Sequence, residues 1–328
     1  MTDNSRRILV TGASGGFGSA LLQRLARRPD AEVVALDVVE PTTVPAGVEF
    51  HAGDVRDVEA MARAMKDCDV TVHLAWVVRP IKDIARARSI DIGGTSAVLD
   101  AMERTGCERL VFAASVTAYG IHDDHPERWT EDEPIDPGQA FTYGAHKAQA
   151  EVLIARSGVD ALLPRAAVVV GRHTDNAVRS VYSTPLLATS RTGESLLQAV
   201  HHDDVGRFYE EACFSDRTGP VNLAAPDVLS MDEAGELLGK RVVRASESAL
   251  RRVTGALWSV GLGTVDPAGA DLIRYLPLAD TTKLRDEWGF TPEYSTADAL
   301  LDFRDAIRGR VALGKLEFAW RSRRGARA

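Results

Sequence analysis

The sequence contains few cysteines and no cysteine pattern. Three occur in 328 residues, Cys68, Cys107 and Cys213, and no two of them form a CxxC pair. An odd, scattered set predicts neither a disulfide framework nor a thiolate metal site, and it favours a reducing compartment. We expect the three side chains to be small buried hydrophobic groups.

Long apolar runs and an excess of positive charge are also lacking. No stretch of the sequence reaches the roughly 18 apolar residues that a membrane-spanning helix needs. Residues 1–7 are polar and hold no apolar core of a secretory leader. The formal net charge of −8 at pH 7 gives no support to nucleic-acid binding. We therefore expect a cytoplasmic protein that binds a small molecule and has no membrane or nucleic-acid partner.

Short apolar runs alternate with helical patterns through the first half of the chain. Strands are predicted at 8–10, 32–36, 48–50, 70–74, 110–113 and 161–170, and helices at 16–28, 58–65, 95–104 and 140–156. This alternation implies βαβ units and a parallel sheet. The pattern weakens beyond residue 171, where helices are predicted at 181–187 and 232–238 and a returning strand at 221–223.

A glycine-rich loop follows the first predicted strand and opens the first helix. Gly12 permits a tight turn, Gly15 lets the backbone approach a pyrophosphate, and Gly18 lets the helix pack against the strand. The helix N-terminus adds free N–H groups and a positive dipole end. Asp37 ends the second strand, about 20 residues later, where a carboxylate binds an adenosine ribose and repels a 2′-phosphate. The pattern predicts NAD as the cofactor.

The predicted elements indicate an α/β fold, a Rossmann-type doubly wound parallel sheet with a smaller, mostly C-terminal lobe. We expect an NAD-binding domain over residues 1–171, to which segments near 200–228 return. A substrate-binding lobe is expected over 172–199 and 229–315, followed by a basic tail over 316–328.

A second motif pairs a phenol with an ammonium. Tyr143 and Lys147 lie four residues apart and so share one face of a predicted helix. A general acid/base works best near the operating pH, and a neighbouring cation lowers the pKa of tyrosine from about 10. Ser115 ends a strand at the carboxyl edge of the sheet, where its hydroxyl can bond a substrate oxygen with help from Thr117. We expect Tyr143 to be the acid/base, with Lys147 lowering its pKa.

Together the motifs resemble those of the extended short-chain dehydrogenases/reductases, the NAD-dependent epimerase/dehydratase group. The matching segments are TGASGGFG at 11–18, HAGDV at 51–55, HLA at 73–75, IGGTSAVLDA at 92–101, FAASVTAYG at 112–120, YGAHK at 143–147, VHHDDV at 200–205, NLAAP at 222–226 and DTTKLRDEWGFTP at 280–292. The resemblance therefore spans nearly the whole chain.

The resemblance implies roles for individual residues. The cofactor would be held by Gly12, Gly15, Phe17, Gly18, Asp37, Asp54, Val55, Leu74, Ala75 and Lys147. The catalytic group would consist of Ser115, Tyr143 and Lys147. Helices over about residues 92–106 and 140–157 imply a homodimer with a four-helix interface.

The sequence departs from the family pattern at three places. Asp91 stands where the family often has Asn, which puts a structural or relay role in doubt. The usual Leu-Arg-Pro appears as Pro164-Arg165-Ala166. Trp76 replaces a small residue after HLA, and we expect it either to wall the substrate pocket or simply to pack.

Three reactions share this machinery: net oxidation or reduction at a secondary alcohol or ketone carbon, epimerisation with retained NAD, and dehydration. Family dehydratases carry Asp-Glu directly after the hydroxyl residue, whereas Val116 follows Ser115 here, so dehydration is disfavoured. Nucleotide-sugar enzymes hold a diphosphate, for which bidentate arginine is the usual partner. The chain offers Arg172, Arg179 and Arg191, but Leu197-Gln198-Ala199 stands where the family usually has an arginine before its His-Val-Asp-Asp segment.

We therefore predict an NAD-dependent oxidoreductase. The alternatives are a nucleotide-sugar epimerase with tightly bound NAD and a non-catalytic NAD-binding sensor. The candidate substrate-binding residues are Trp76, Ser115, Thr117, Arg172 and Arg179.

Two further groups of residues are less informative. His/Asp clusters at 122–125 and 201–204 lack a pattern of convergent ligands, so we predict no metal. Apolar residues of the second lobe are expected to pack in its core, with an apolar pocket as the alternative; they are Leu186, Leu187, Leu257, Trp258 and Leu262.

Overall fold

The computed structural model describes residues 5–174, 176–191, 195–263 and 267–307, and the backbone of two strands beyond them. The strands are β1 Arg6–Thr11, β2 Ala31–Asp37, β3 Glu49–Ala52, β4 Val70–His73, β5 Arg109–Phe112, β6 Ala114–Ser115, β7 Asp160–Ala166, β8 Val168–Val170, β9 Leu186–Ser190, β10 Leu196–Leu197, β11 Ala199–His201, β12 Gly219–Leu223, β13 Leu229–Ser230, β14 Arg241–Ala245, β15 Arg310–Leu313 and β16 Leu316–Ala319. The helices are α1 Gly16–Leu25, α2 Val58–Ala64, α3 Ile84–Arg88, α4 Gly94–Thr105, α5 Thr142–Ser157, α6 Ala177–Tyr182, α7 His202–Ala212, α8 Met231–Leu238, α9 Glu247–Ser259, α10 Thr282–Asp286 and α11 Thr296–Ala306.

The main sheet has the strand order β12-β7-β5-β4-β1-β2-β3, and β6 extends it beside β7. All of these pairings are parallel. Strand order reverses at β1, which lies between β2 and β4, and such a switch point opens a crevice at the carboxyl edge of the sheet. The predicted Rossmann-type doubly wound sheet is confirmed.

The core occupies both faces of this sheet because β1 alternates its side chains between them. Ile8 and Val10 join one cluster with Leu21, Leu22 and Leu25 of α1. Leu9 points to the other face, among residues of α2, α4 and α5. Full burial of each large aliphatic side chain stabilises the fold by about 1.5–3 kcal/mol, which holds the loop after β1 on a rigid base.

The helix predicted at 181–187 is wrong. Helix α6 ends at Tyr182, and Leu186–Ser190 forms β9, which pairs in parallel with β14. The side chains of Leu186, Leu187 and Ala188 alternate between exposed and buried, which is the period of a strand. Short apolar runs of this kind do not distinguish a helix from a strand by sequence alone.

The strand predicted at 161–170 is two strands. Strand β7 stays in the main sheet, whereas β8 leaves it after Ala167 and pairs with β11. The predicted returning strand is confirmed as β12, which pairs with β7. Residues assigned from sequence to the tail begin with β16, which forms a hairpin with β15; residues 320–328 lie outside the described residues.

The three cysteines are buried and unpaired, as expected. Within the described residues, no helix combines the length and the apolarity that crossing a membrane requires.

Candidate active site

The glycine loop lies at the carboxyl end of β1, where backbone passes too close for side chains. Gly12 has a φ of +68°, and a Cβ there would lie 2.6 Å from the backbone nitrogen of Ala75. A Cβ on Gly18 would lie 2.2 Å from the carbonyl oxygen of Gly12. The amino end of α1 therefore presents bare backbone to the crevice. These residues fit the diphosphate of a dinucleotide.

Asp37 ends β2 beside this loop. Its carboxylate accepts a hydrogen bond from the Ser14 backbone N–H at 2.9 Å, and its other oxygen faces the Val39 N–H at 3.4 Å. The carboxylate thus fixes the loop as well as lining the crevice. The residue after it is Val38, so no cation follows it to receive a 2′-phosphate.

Asp54 and Val55 lie at the same end of the crevice. Arg56 binds the Asp54 carboxylate at 2.5 Å and holds its pKa below the usual range. Arg56 also donates to the Ser89 hydroxyl at 3.1 Å. No sequence motif marks this arginine, which lines the crevice and neutralises Asp54, the predicted adenine contact.

A continuous cavity of about 1190 Å³ joins the glycine loop to the second lobe. Every residue predicted to hold the cofactor lines it. Phe17 packs edge-on against Tyr209 at 4.9 Å between ring centroids. The backbone N–H groups of Leu74 and Ala75 donate to the Thr11 hydroxyl at 3.2 and 3.3 Å, which fixes that wall.

Ser115, Thr117 and Tyr143 lie together in this cavity. The Ser115 hydroxyl accepts hydrogen bonds from the Thr117 N–H at 3.3 Å and from the Thr117 hydroxyl at 3.0 Å. Gly144 permits this arrangement, since a Cβ on it would lie 2.7 Å from the Thr117 carbonyl oxygen. The glycine within the Tyr143-Gly144 pair therefore brings α5 against the turn that carries the serine.

Lys147 is 2% exposed and lies one helical turn after Tyr143. Its Nζ donates to the Ala113 carbonyl at 2.5 Å, between β5 and β6. The same Nζ lies 3.5 Å from the centroid of the Trp76 ring. Burial lowers the pKa of Lys147 to about 7, against the opposing charges of Asp91 and Glu151.

That Lys147, together with the charge of oxidised nicotinamide, lowers the pKa of Tyr143 stays a prediction. Burial raises that pKa above its usual value, and the negative charge of Asp91 raises it further. Hydrogen bonding with Ser115 acts in the opposite direction and is the smaller effect. Desolvation of the phenol is therefore the largest effect, and the Lys147 ammonium, bonded to Ala113, lies 5.6 Å from the centroid of the Tyr143 ring.

Asp91 stands where the family often has Asn, which put its role in doubt. The structure gives its carboxylate defined partners. Asp91 lies in a π-helical segment, Ser89–Gly93, whose wide turn joins α3 to α4. One carboxylate oxygen accepts from the Val77 N–H at 2.9 Å, and the other contacts His146 Nδ1 at 2.8 Å. Asp91 and His146 are 2% and 5% exposed, so they form a buried pair directly beside Lys147.

Arg165 also holds α5. Its guanidinium binds the Glu151 carboxylate at 2.7 Å, with both groups almost fully buried. It also donates to the Tyr119 hydroxyl at 3.0 Å. Strand β7 pairs with β5 as far as Leu162 and with β6 from Arg165 onward. Pro164 lies in the gap between these two pairings. A proline is tolerated there because no N–H is needed.

Two of the predicted substrate residues do not line the cavity. Arg172 binds Asp302 of α11 through its backbone N–H at 2.6 Å and its guanidinium at 2.5 Å. Arg179, on α6, is also outside the lining residues, in contrast to Trp76, Ser115 and Thr117. The partner of Arg172 lies 130 residues away in sequence, which no local pattern indicates.

The second His/Asp cluster does gather potential metal ligands within the described part of the chain. Donor atoms of His201, His202 and Asp302 lie within 4.8 Å of one another. However, His201 accepts from the Asp203 N–H at 3.3 Å and contacts Asp302 at 3.1 Å, while Arg172 holds the same carboxylate. The ligand atoms of His201 and Asp302 are thus occupied.

The core packing expected for the apolar residues of the second lobe holds for Leu187 but not for Leu186 and Leu257. Leu187 is 2% exposed, whereas Leu186 and Leu257 are 50% and 42% exposed. Leu186, Leu187, Leu257 and Trp258 all line the cavity, and Leu262 is exposed outside it.

A phosphate cradle at the switch point, open to buried proton-carrying groups, defines a dinucleotide-dependent α/β protein. The family model for the NAD dependent epimerase/dehydratase family matches residues 8–208. The chain belongs to this family of NAD-dependent enzymes, of the extended short-chain dehydrogenase/reductase type.

Curated relatives extend the comparison. Uncharacterized protein Rv2047c of Mycobacterium tuberculosis is 34% identical over 319 residues, which cover 96% of this chain and 32% of that protein. The chain thus spans about a third of the length of this relative. A dTDP-glucose 4,6-dehydratase of Streptomyces griseus is 29% identical over 319 residues, with 89% of this chain and 91% of that protein covered.

Solved structures share the fold. UDP-glucose 4-epimerase of Thermotoga maritima aligns with a TM-score of 0.73 at 20% identity, covering 92% of this chain and 98% of that one. UDP-glucuronic acid 4-epimerase of Bacillus cereus, in complex with NAD, aligns with a TM-score of 0.70 at 19% identity, with 92% and 98% covered.

Proposed function

We propose that the chain is an NAD-dependent oxidoreductase that transfers a hydride at a secondary alcohol or ketone carbon. The observation that carries the proposal is the opening of one cavity to the glycine loop, Ser115, Tyr143 and Lys147. Bound NAD supplies the hydride acceptor, and its reduced form the donor. The chain must then bind the substrate oxygen and move one proton.

The proposed roles follow from position and chemistry. Tyr143 gives or takes the proton at the substrate oxygen. Ser115, whose hydroxyl interacts with that of Tyr143, bonds the same oxygen and orients it. Lys147, held at Ala113, provides a positive charge beside Tyr143 and binds the cofactor ribose. The raised pKa of Tyr143 keeps its proton on at neutral pH, so cationic charge must act on it during alcohol oxidation.

Replacement of Tyr143 by phenylalanine tests the proposal. The ring and its packing remain while the proton carrier is lost, so turnover should fall by at least ~10²-fold and NADH affinity should stay within about twofold. Tyr294→Phe is the matched control, because Tyr294 stacks on His201 outside the cavity. Wild-type turnover in Tyr143→Phe would refute the assignment.

A nucleotide-sugar epimerase with tightly bound NAD is the second candidate. It is favoured by the fold shared with two UDP-sugar 4-epimerases. Mass spectrometry of the denatured, freshly purified protein separates the two candidates. Retained NAD at one equivalent per chain supports the epimerase, whereas reversible binding of NADH to an empty protein supports net oxidoreduction.

The remaining alternatives find less support. Dehydration needs an acid/base pair after Ser115, where Val116 and Thr117 stand. A non-catalytic sensor would not need Ser115, Tyr143 and Lys147 together in the cofactor cavity. We also propose a homodimer through α4 and α5, which light scattering at micromolar concentration would reveal as twice the mass of one chain.

A further inference from the structure

The far end of the cavity is formed by one face of α9. Five residues of this helix line the cavity at the spacing of a single helical stripe, namely Leu250, Val253, Thr254, Leu257 and Trp258. The charged neighbours Arg251 and Arg252 fall outside the lining residues, and Arg251 binds Asp271 at 2.6 Å. The ion pair joins α9 to the neighbouring segment Pro267–Ile273.

Much of this face is left exposed. Within α9 only Leu250 is buried, while Val253 and Leu257 remain 59% and 42% exposed. Val78 and Leu186, which also line the cavity, are 46% and 50% exposed. Apolar surface gathered in a concave site gains free energy when an apolar ligand displaces water from it.

Cationic groups are scarce at this end. The cations among the described lining residues are Arg56, Lys82, Arg86 and Lys147. Arg56 pairs with Asp54, and Lys147 is held at Ala113. Arg86 lies one helical turn before Ser89, the residue that binds Arg56. Lys82 reaches α9, but its Nζ donates to the Ser259 carbonyl at 3.0 Å.

Two buried polar side chains of the described lining, Thr174 and His202, have no hydrogen-bond partner. Burial lowers the pKa of His202 to about 4, so this lining imidazole is neutral at pH 7. Five short stretches of the lobe lie outside the described residues; 175, 192–194 and 264–266 contain no lysine or arginine, whereas 308–309 and 314–315 contain Arg308 and Lys315. A diphosphate requires charge-assisted donors, and among the described lining cations only Lys82 is bonded to α9.

We propose that the substrate is an uncharged, largely hydrocarbon secondary alcohol or ketone. Its oxygen lies at Ser115 and Tyr143, and its hydrocarbon body lies along the α9 stripe. The inference rests on the proposed hydride transfer and names the substrate class for that site.

A homologous series tests the substrate class. With NAD, kcat/KM should rise from 2-butanol through 2-hexanol to 2-decanol, by about threefold to fourfold per buried CH₂. UDP-glucose at 1 mM should give no NADH and should not inhibit oxidation of 2-decanol. A flat series, or competitive inhibition by micromolar UDP-glucose or UDP, would overturn the proposal.

A pair of variants locates the binding surface. Leu257→Arg places a cation in the wall and should lower kcat/KM for 2-decanol at least tenfold, with a smaller loss for 2-butanol. Val260→Arg adds the same charge just past the end of α9, at a residue that is 68% exposed and outside the lining residues, and should change neither. NADH affinity serves as the folding control for both. Equal behaviour of the two variants would contradict the assignment.

Calorimetry separates failure of the substrate class from failure of the chemistry. The Tyr143→Phe variant saturated with NAD is titrated with each alcohol and with UDP-glucose. Affinity that rises with chain length, without turnover by the wild type, would refute hydride transfer and retain the substrate class. Binding of UDP-glucose with no dependence on alcohol length would refute the substrate class alone.

Discussion

The indole ring of Trp76 lies over the ammonium of Lys147, with 3.5 Å between Nζ and the ring centroid. A desolvated cation on an indole face gains about 2 kcal/mol. This contact offsets part of the cost of burying Lys147. Trp76, which departs from the family pattern, thus belongs to the environment of the lysine as well as to the cavity wall.

Substitution of Trp76 should therefore change the titration of Lys147. Trp76→Leu removes the aromatic face, which leaves the ammonium less stable and should lower the pKa of Lys147 by about one unit. Trp76→Phe keeps an aromatic face and should shift it less. The alkaline limb of the kcat/KM–pH profile, which reports the free enzyme, measures the shift. Identical profiles for the three proteins would contradict this role.

The buried lysine should also make stability depend on pH. Its folded pKa of about 7 lies below the unfolded value of about 10.4, so the unfolded chain binds more protons between these values. The contribution of Lys147 to the free energy of unfolding therefore rises with pH across that window. Below pH 7 the folded chain bears the full cost of burying the charged lysine. Lys147→Met should be more stable than wild type at pH 6.5 by a few kcal/mol at most, because each unit of pKa shift corresponds to about 1.4 kcal/mol.

The advantage of Lys147→Met should shrink as the pH rises to 9.5, because the wild-type lysine is then neutral when folded. Urea unfolding of both proteins across the range measures the difference. An advantage that stays constant with pH would mean that Lys147 keeps its proton in the folded state up to pH 9.5, so that burial does not lower its pKa.

The glycine loop provides a pair of matched substitutions. Gly18→Ala would bring a Cβ to 2.2 Å from the Gly12 carbonyl oxygen, so α1 must move away from β1. The nearest atom to a Cβ on Gly16 is the His173 carbonyl oxygen at 4.0 Å. Gly18→Ala should weaken NADH binding at least tenfold, and Gly16→Ala should change it little. Fluorescence titration measures both affinities, and equal loss would argue against the close approach.

Asp91 should contribute to stability through two buried hydrogen bonds. Asp91→Ala leaves the Val77 N–H without its acceptor, at a cost of about 1–3 kcal/mol. Asp91→Asn keeps an acceptor for that N–H and should lose less. Both variants remove the charge that raises the pKa of Lys147, so both should move the alkaline limb of the pH profile to lower pH. Equal free energies of unfolding for Asp91→Ala and Asp91→Asn would refute the acceptor role.

Local chemistry made much of this site predictable from sequence. The turn at Gly12 and the spacing of Tyr143 and Lys147 depend on neighbouring residues, and the structure brings them into one cavity. The same holds for the alternating burial of β1, where apolar side chains face both sides of the sheet. Each pattern is short enough to be specified by a few consecutive residues.

Long-range pairing was not predictable in this way. Asp91 meets His146 across 55 residues, and the salt bridge of Arg172 with Asp302 spans 130. Its residue type made Arg172 a candidate for substrate binding. In the structure its guanidinium instead binds Asp302. Burial also decided the pKa of Tyr143, because desolvation depends on everything packed around it.

Strand β12 reaches its place beside β7 only after the chain has passed through β8–β11 and α7. A fragment that stopped at Gly171, the predicted domain boundary, would leave five backbone positions of β7, from Leu162 to Ala166, without their partners. An uncovered edge of this kind templates intermolecular pairing. We therefore expect this edge to be open to intermolecular pairing until Gly219–Leu223 closes the sheet.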